Sequence, residues 1–245
     1  MQWRFVPKKK IGPYTAIALE EILTDRVSKT GIPIIRFWEW ESKAVTIGRS
    51  QKVRNEVDLK LCKKRNIAVI RRPSGGGTMY HTPGGELVYS IIAPREYFPD
   101  DITKIYKNIC GLLVKTLQDL DISAEFVKPN SVFVDDKKVS GSSQKITKNV
   151  ILQHGTILYE PNEEEMFSLL RKNDTSDRYI RSNISPVSGI SKIADFSFLE
   201  LYNALKKGFL DGKEYFTEPV SDQEFQKAKE LVNKKYREES WNLNP

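Results

Sequence analysis

Three consecutive glycines, Gly75-Gly76-Gly77, follow Arg71-Arg72-Pro73-Ser74 and precede Thr78-Met79-Tyr80-His81. Glycine loses more backbone freedom on folding than any other residue. A folded chain therefore keeps three in a row where φ must be positive or where a ligand must touch the main chain. β-Branched apolar runs at 68–72 and 86–92 bracket the stretch and read as strands, which makes the glycines a tight loop at a sheet edge. Free N–H groups in such a loop form a concave anion site, and Arg71 or Arg72 at its mouth adds bidentate contacts to phosphate or carboxylate. The competing reading is a purely structural turn. No Gly-Lys-Ser/Thr closes the loop and no Gly-x-Gly-x-x-Gly precedes a helix, which disfavours the two common nucleotide-binding folds.

The periodicity around the loop is mixed. Helical spacing predicts helices over 14–27, 58–65, 102–120, 163–170, 196–210 and 223–235; in the strongest, Ile105, Ile109, Leu113 and Leu117 share one face. Strands are expected at 34–40 and 44–48, paired as a hairpin, and at 124–127, 131–134, 138–141 and 150–159. This order is not an alternating βαβ pattern. It predicts an α+β fold of mixed β-sheets flanked by helices. With no fixed-period repeat, low-complexity block or Gly/Ser linker, residues 1–245 read as a single domain.

The chain carries 39 Lys plus Arg against 32 Asp plus Glu, a net charge of +7, which suits a polyanion such as nucleic acid, a phosphorylated ligand or an acidic protein. A non-enzymatic nucleic-acid binder would draw on Trp3, Trp38, Trp40 and the runs Lys8-Lys9-Lys10, Lys63-Lys64-Arg65 and Lys234-Lys235. Runs so short and scattered have the pattern of solvated helix faces. No apolar run approaches the ~20 residues of a membrane span, and the N-terminus lacks a signal-peptide core, so a cytoplasmic protein without membrane partners is expected. Cys62 and Cys110 are the only cysteines, too few for a disulfide framework or a zinc site built on cysteines.

A second segment carries chemistry: Lys137-Lys138-Val139-Ser140-Gly141-Ser142-Ser143-Gln144, followed by Gln153-His154-Gly155-Thr156. A lysine beside small residues reaches into a pocket lined by main chain and stabilises charge developing on an acyl or phosphoryl oxygen. Lys137 belongs to the turn Asp135-Asp136-Lys137, which leaves Lys138 as the candidate. His81 and His154 are the only histidines, each open to a structural or a site role.

Taken in order, Arg-Arg-x-Ser-Gly-Gly-Gly-Thr-x-x-His, Gly-Glu-Leu-Val-Tyr-Ser-Ile, Lys-Lys-Val-Ser-Gly-Ser-Ser-Gln and His-Gly-Thr-Ile-Leu resemble the catalytic domain of lipoate-protein ligases, within the biotin/lipoate ligase and octanoyltransferase superfamily. Val45 to Gln51, Asn130 and the terminal Trp241-Asn242 support the likeness, which spans nearly the whole chain. The resemblance implies the class II biotin/lipoate ligase fold. It also implies a two-step reaction: lipoate and ATP give lipoyl-adenylate, and a lysine ε-amine of an acceptor then takes the lipoyl group. The implied acceptors are the lipoyl domains of 2-oxoacid dehydrogenase complexes and the glycine cleavage H protein. Mg²⁺ is the implied cofactor, with no ligands assigned.

Carried over, Arg72, Ser74, Gly75, Gly76, Gly77 and Thr78 would line the lipoyl-adenylate site with His81 beside them. Lys138 would be the catalytic contact to carbonyl and phosphate oxygens, and Val139, Ser140, Gly141, Ser142, His154 and Gly155 the opposite wall. Two departures from the superfamily stand out. Its octanoyltransferases, which would take octanoyl from a carrier protein, use a cysteine in a loop resembling Ser185-Pro186-Val187-Ser188-Gly189-Ile190 or near Pro129-Asn130-Ser131. No cysteine stands in either place, and Cys62 and Cys110 are expected in helices away from the motifs. The chain also ends soon after Trp241-Asn242, so it resembles the bipartite archaeal type, with no C-terminal accessory domain and a separate protein supplying one. Biotin ligation is disfavoured because Arg-Pro-Ser-Gly-Gly-Gly replaces the Gly-Arg-Gly-Arg-x-Gly loop typical of those enzymes.

Overall fold

The computed structural model describes residues 2–171 and 186–243. The elements run β1 (Trp3–Val6), β2 (Lys10–Ile11), α1 (Pro13–Thr30), β3 (Ile34–Trp40), β4 (Ala44–Ile47), α2 (Val53–Glu56), α3 (Leu59–Lys64), β5 (Ala68–Arg71), β6 (Met79–His81) and β7 (Glu86–Pro94). They continue with α4 (Ile102–Gln118), β8 (Ala124–Val127), β9 (Ser131–Val134), β10 (Lys137–Ile146), β11 (Val150–Leu158), α5 (Glu163–Leu169), α6 (Phe198–Leu210), β12 (Tyr215–Thr217), α7 (Asp222–Leu231) and α8 (Glu239–Leu243). The larger sheet has the order β12-β1-β3-β7-β11-β10-β9-β8, with β2 also on β3; the smaller is β5-β4-β6. The fold is α+β, as the mixed periodicity predicts.

Strand alternation sorts the core onto two faces. Ile35 and Phe37 of β3 and Leu87, Tyr89 and Ile91 of β7 pack with Ile109 and Leu113 of α4 and Leu205 and Phe209 of α6. Their neighbours Trp38, Trp40 and Val88 meet Ala16, Ile17 and Leu19 of α1 on the other face. Because both faces are covered, β3 is buried along its whole length. Helix starts follow local chemistry: Asp101 caps α4 by accepting from Thr103 and Lys104 N–H, and Ser197 with Glu200 forms a capping box on α6.

The expected hairpin between 34–40 and 44–48 does not form. β1 and β7 already occupy both edges of β3, so β4 turns away and pairs with β5 and β6 instead. The glycine loop consequently runs from one edge of the small sheet to the other. It also touches the large sheet, where Gly75 N donates to Gln144 O at 3.3 Å. Among the described residues, no helix is long and apolar enough to cross a membrane.

Candidate active site

A cavity of about 410 Å³ opens where the two sheets meet. Its walls come from α1 (Ile17), β3 (Trp38, Trp40), β4 (Thr46), β7 (Val88), the glycine loop, the 127–131 segment, β10, β11 and α5 (Met166, Phe167). Of the residues singled out from sequence, Arg72, Gly76, Gly77, Thr78, His81, Lys138, Gly141, Ser142, His154 and Gly155 border it. Ser74, Gly75, Val139 and Ser140 do not. Val139 is buried in the α4/α6 core and Ser140 is fully enclosed behind a register shift between Lys138 and Ser140; Ser74 lies beneath the loop.

The two arginines divide their labour differently from the sequence expectation. Arg71 turns away from the cavity. Its Nη1 donates to the carbonyls of Gly48, Arg49 and Gln51 at 2.8–3.0 Å, and its Nε and Nη2 donate to those of Trp241 and Asn242. It thus ties α8 and the 48–51 turn together and does not border the cavity. Arg72 staples the loop: Nη2 donates to Gly75 O at 2.7 Å and Gly77 O at 2.6 Å, and Nε to Ser74 Oγ at 3.1 Å and Ser143 Oγ at 3.3 Å. Burial lowers its guanidinium pKa to about 10. Its positive charge is therefore built into the cavity wall beside Gly76, whose φ of +84° needs glycine.

Lys138 stands at the start of β10, with its backbone N–H donating to Pro186 O and its carbonyl accepting from Ser188 N–H. Its side chain arches over Gly141, where a Cβ would lie 2.9 Å from Lys138 Cε. Burial pushes the ammonium below the ordinary lysine range, and among the described residues no carboxylate pairs with it. An unpaired cation at a cavity wall is costly unless a ligand supplies the anion. Opposite, His81 is held between Glu86 at Nδ1 and Thr46 Oγ1, 2.8 Å from Nε2, with its ring 4.3 Å from that of Trp40. His154 Nε2 lies 2.6 Å from Ser74 Oγ and its Nδ1 3.2 Å from Glu20 of α1.

Sequence reasoning missed Glu20, Arg36, Thr46 and Ser143. Glu20 is fully buried and pairs with fully buried Arg36 at 2.6 Å. The available signal was a carboxylate on the apolar stripe of α1, between Ile17 and Leu23. Cys110 also lies closer than expected, 3.5 Å from Ser142 Oγ, but it sits in the core behind the cavity, and burial raises its thiol pKa. Cys62 is buried in a separate core with its thiol raised to about 11. Neither cysteine borders the cavity. Ser131 does, yet its Oγ has only Asn130 Oδ1 within reach, at 3.5 Å. Of the proposed loop at 185–190, Ser185 lies outside the described residues; Ser188 is buried with its Oγ facing Gly189 O. Trp38 and Trp40 are cavity wall and core, so they offer no platform for nucleic-acid bases.

The chain is similar to known proteins over nearly its whole length. Octanoyltransferase LipM of Brevibacillus brevis is 31% identical over 274 aligned residues, covering 99% of both chains. That of Halalkalibacterium halodurans is 29% identical over 98% of both. Among solved structures, a bipartite lipoate protein ligase of Thermoplasma acidophilum superposes with a TM-score of 0.85 at 27% identity, covering 99% of this chain and 96% of its own. A lipoate-protein ligase A bound with ATP gives 0.85 at 25% identity over 99% of both chains. The names of the curated relatives stand nearer to octanoyl transfer than to ATP-dependent ligation. The lipoyl protein ligase A/B catalytic domain family matches residues 12–210, and the chain belongs to that family.

Proposed function

We propose that the chain activates lipoate or octanoate with ATP and passes the acyl group from the adenylate to a lysine ε-amine of a lipoyl-acceptor domain. One observation carries this reading: among the described residues, the cavity presents a lysine ammonium with no carboxylate partner, Lys138, and no thiol. An enzyme without a cysteine nucleophile needs a donor activated some other way, and a mixed anhydride with AMP meets that need. The ATP-bound and lipoic-acid-bound structures of similar proteins support it. Trp38, Trp40, Ile17 and Val88 give the acyl chain an apolar wall. Lys138 offsets charge on the carbonyl and phosphoryl oxygens, and the glycine loop brings main chain against the ligand. Mg²⁺, when present, shields the triphosphate. Among the described residues no group of three or more His, Cys, Asp or Glu side chains could cage it alone.

The second reading, octanoyl transfer from a carrier protein, is favoured by the octanoyltransferase name of the curated relatives. The decisive experiment gives the purified protein an apo lipoyl domain with either ATP plus lipoate or octanoate, or octanoyl carrier protein without ATP, and weighs the acceptor by mass spectrometry. Acylation in the first arm only, reduced by Lys138→Ala, supports the ligase. Acylation in the second arm without ATP overturns it. The bipartite organisation belongs to the same reading: a separate accessory-domain protein, when added, raises adenylate formation, and lipoyl domains and the glycine cleavage H protein serve as acceptors.

A further inference from the structure

Arg36, Ser90, His154 and Ser143 are consecutive partners across β3, β7, β11 and β10. All four are buried, and Glu20 of α1 covers the row, with one carboxylate oxygen toward Arg36 and Ser90 and the other toward His154. Burying a guanidinium, a carboxylate and an imidazole is unfavourable before their hydrogen bonds are counted, and an apolar row would hold the sheet at lower cost. The row therefore invites a functional explanation.

For a neutral His154 the partners set the hydrogen-bond directions. Glu20, paired with Arg36, is an acceptor, so the neutral imidazole donates through Nδ1–H and carries its lone pair on Nε2. Ser74 then donates to Nε2, at 2.6 Å. Ser143, 2.9 Å from Ser74, donates in turn, and Arg72 Nε donates to both hydroxyl oxygens. Ser143 borders the cavity. A continuous chain of donors thus leads from the cavity wall to a buried imidazole with a carboxylate behind it.

Resting on the adenylate reading above, we propose that His154 receives, through Ser143 and Ser74, the proton released when the acceptor lysine attacks. The nitrogen–carbon bond forms, the carbon–oxygen bond to AMP breaks, and AMP leaves with the electron pair. The amine proton passes to Ser143, the Ser143 proton to Ser74 and the Ser74 proton to His154 Nε2. The resulting imidazolium faces Glu20. Arg36 on β3, Arg72 on the loop and Lys138 on β10 are the cations on the surrounding elements. Glu20 is the positioning residue that fixes the tautomer.

The test uses preformed octanoyl-adenylate and single-turnover transfer to an apo lipoyl domain from about pH 6 to about pH 9.5, where hydroxide can take the attacking amine's proton in place of the relay. Ser74→Ala, Ser143→Ala and His154→Gln are expected to slow transfer about 100-fold near pH 7, with the deficit shrinking to about threefold at the alkaline end. Circular dichroism and thermal melting check that each variant is folded, and the folded variants among the three carry the test. Wild-type transfer to lysine by them near pH 7, or an equal loss at every pH, overturns the relay. A wild-type protein that cannot transfer from the adenylate at all sinks the adenylate reading, and the relay with it.

Discussion

Gly48 follows β4, and a Cβ built there would lie 2.0 Å from the carbonyl oxygen of Gly76 and 3.2 Å from Gln51 Oε1. Real Cβ contacts essentially never fall below 3.0 Å, so Gly48→Ala must drive the glycine loop back by at least about 1 Å. That shift strains four bonds: Arg72 Nη2 to Gly75 O and Gly77 O, Arg49 N to Ser74 O at 2.9 Å, and Gly48 N to Gln51 Oε1 at 2.8 Å. Two have a charged donor, at roughly 1.5–3 kcal/mol each, and two are neutral at about 1 kcal/mol. Partial loss of the set gives about 2–4 kcal/mol and a Tm lower by about 4–16 °C for a chain of this size. Displacing the loop by about 1 Å lowers kcat/KM for acyl transfer about 100-fold. Gly75→Ala is the matched control: a Cβ there meets nothing within 4 Å and its φ is not in the left-handed region. It should keep activity within about twofold and gain about 0.4–1 kcal/mol in stability. Calorimetry and transfer assays on both variants decide. Near-wild-type activity in Gly48→Ala, or equal damage from Gly75→Ala, refutes the contact argument and returns the role to loop freedom alone.

Gly141→Ala places a Cβ 2.9 Å from Lys138 Cε and 3.0 Å from its Nζ; the flexible tip yields, so stability changes by less than about 1 kcal/mol while transfer falls at least about tenfold. Equal loss of stability and activity would count against it. Alkylating reagents should leave the native protein active, because both thiols are buried with raised pKa values, and intact-mass analysis during turnover should find no thioester. Arg4 holds the Glu224 carboxyl down to about 2, although burial alone would raise it. Its folded pKa lies below the unfolded value, so the stability it lends is whole above about pH 4.5 and is lost as pH falls toward about 2. Glu224→Gln should flatten that limb of an acid-unfolding curve followed by circular dichroism.

Two runs, 71–78 and 138–142, were legible as candidate cavity wall, and Arg72, Gly76, Gly77, Thr78, Lys138, Gly141 and Ser142 of them border it, in segments where a positive φ or close approach calls for small residues. Lys138 and Gly141 are three apart and would face opposite sides of a regular strand; the register shift between Lys138 and Ser140 brings the lysine over the glycine. The assignments that moved are those that depend on pairing between distant strands. The hairpin expected of 34–40 and 44–48 follows from their proximity in sequence, whereas β3 had both edges filled by β1 and β7. Arg71 and Arg72 are equivalent as letters, but consecutive strand residues face opposite ways. One therefore serves α8 and the other the loop.

The relay residues follow a different logic, and a signal for them existed. Glu20 lies on the apolar stripe of α1, three residues from Ile17 and Leu23, where a charge is out of place unless it is paired. Arg36 shares a strand face with Ile34 and Trp38, with the same anomaly and the opposite sign. Each alone reads as an exception. Two opposite charges on faces that must both be buried predict each other, because neither face can pack while its charge is unmet. The pairing in turn places Ser90 and His154 on the same row, since cross-strand partners share a face. A buried pair of this kind holds its charges at fixed positions in the sheet, and it is this fixed carboxylate that determines which nitrogen of His154 faces Ser74.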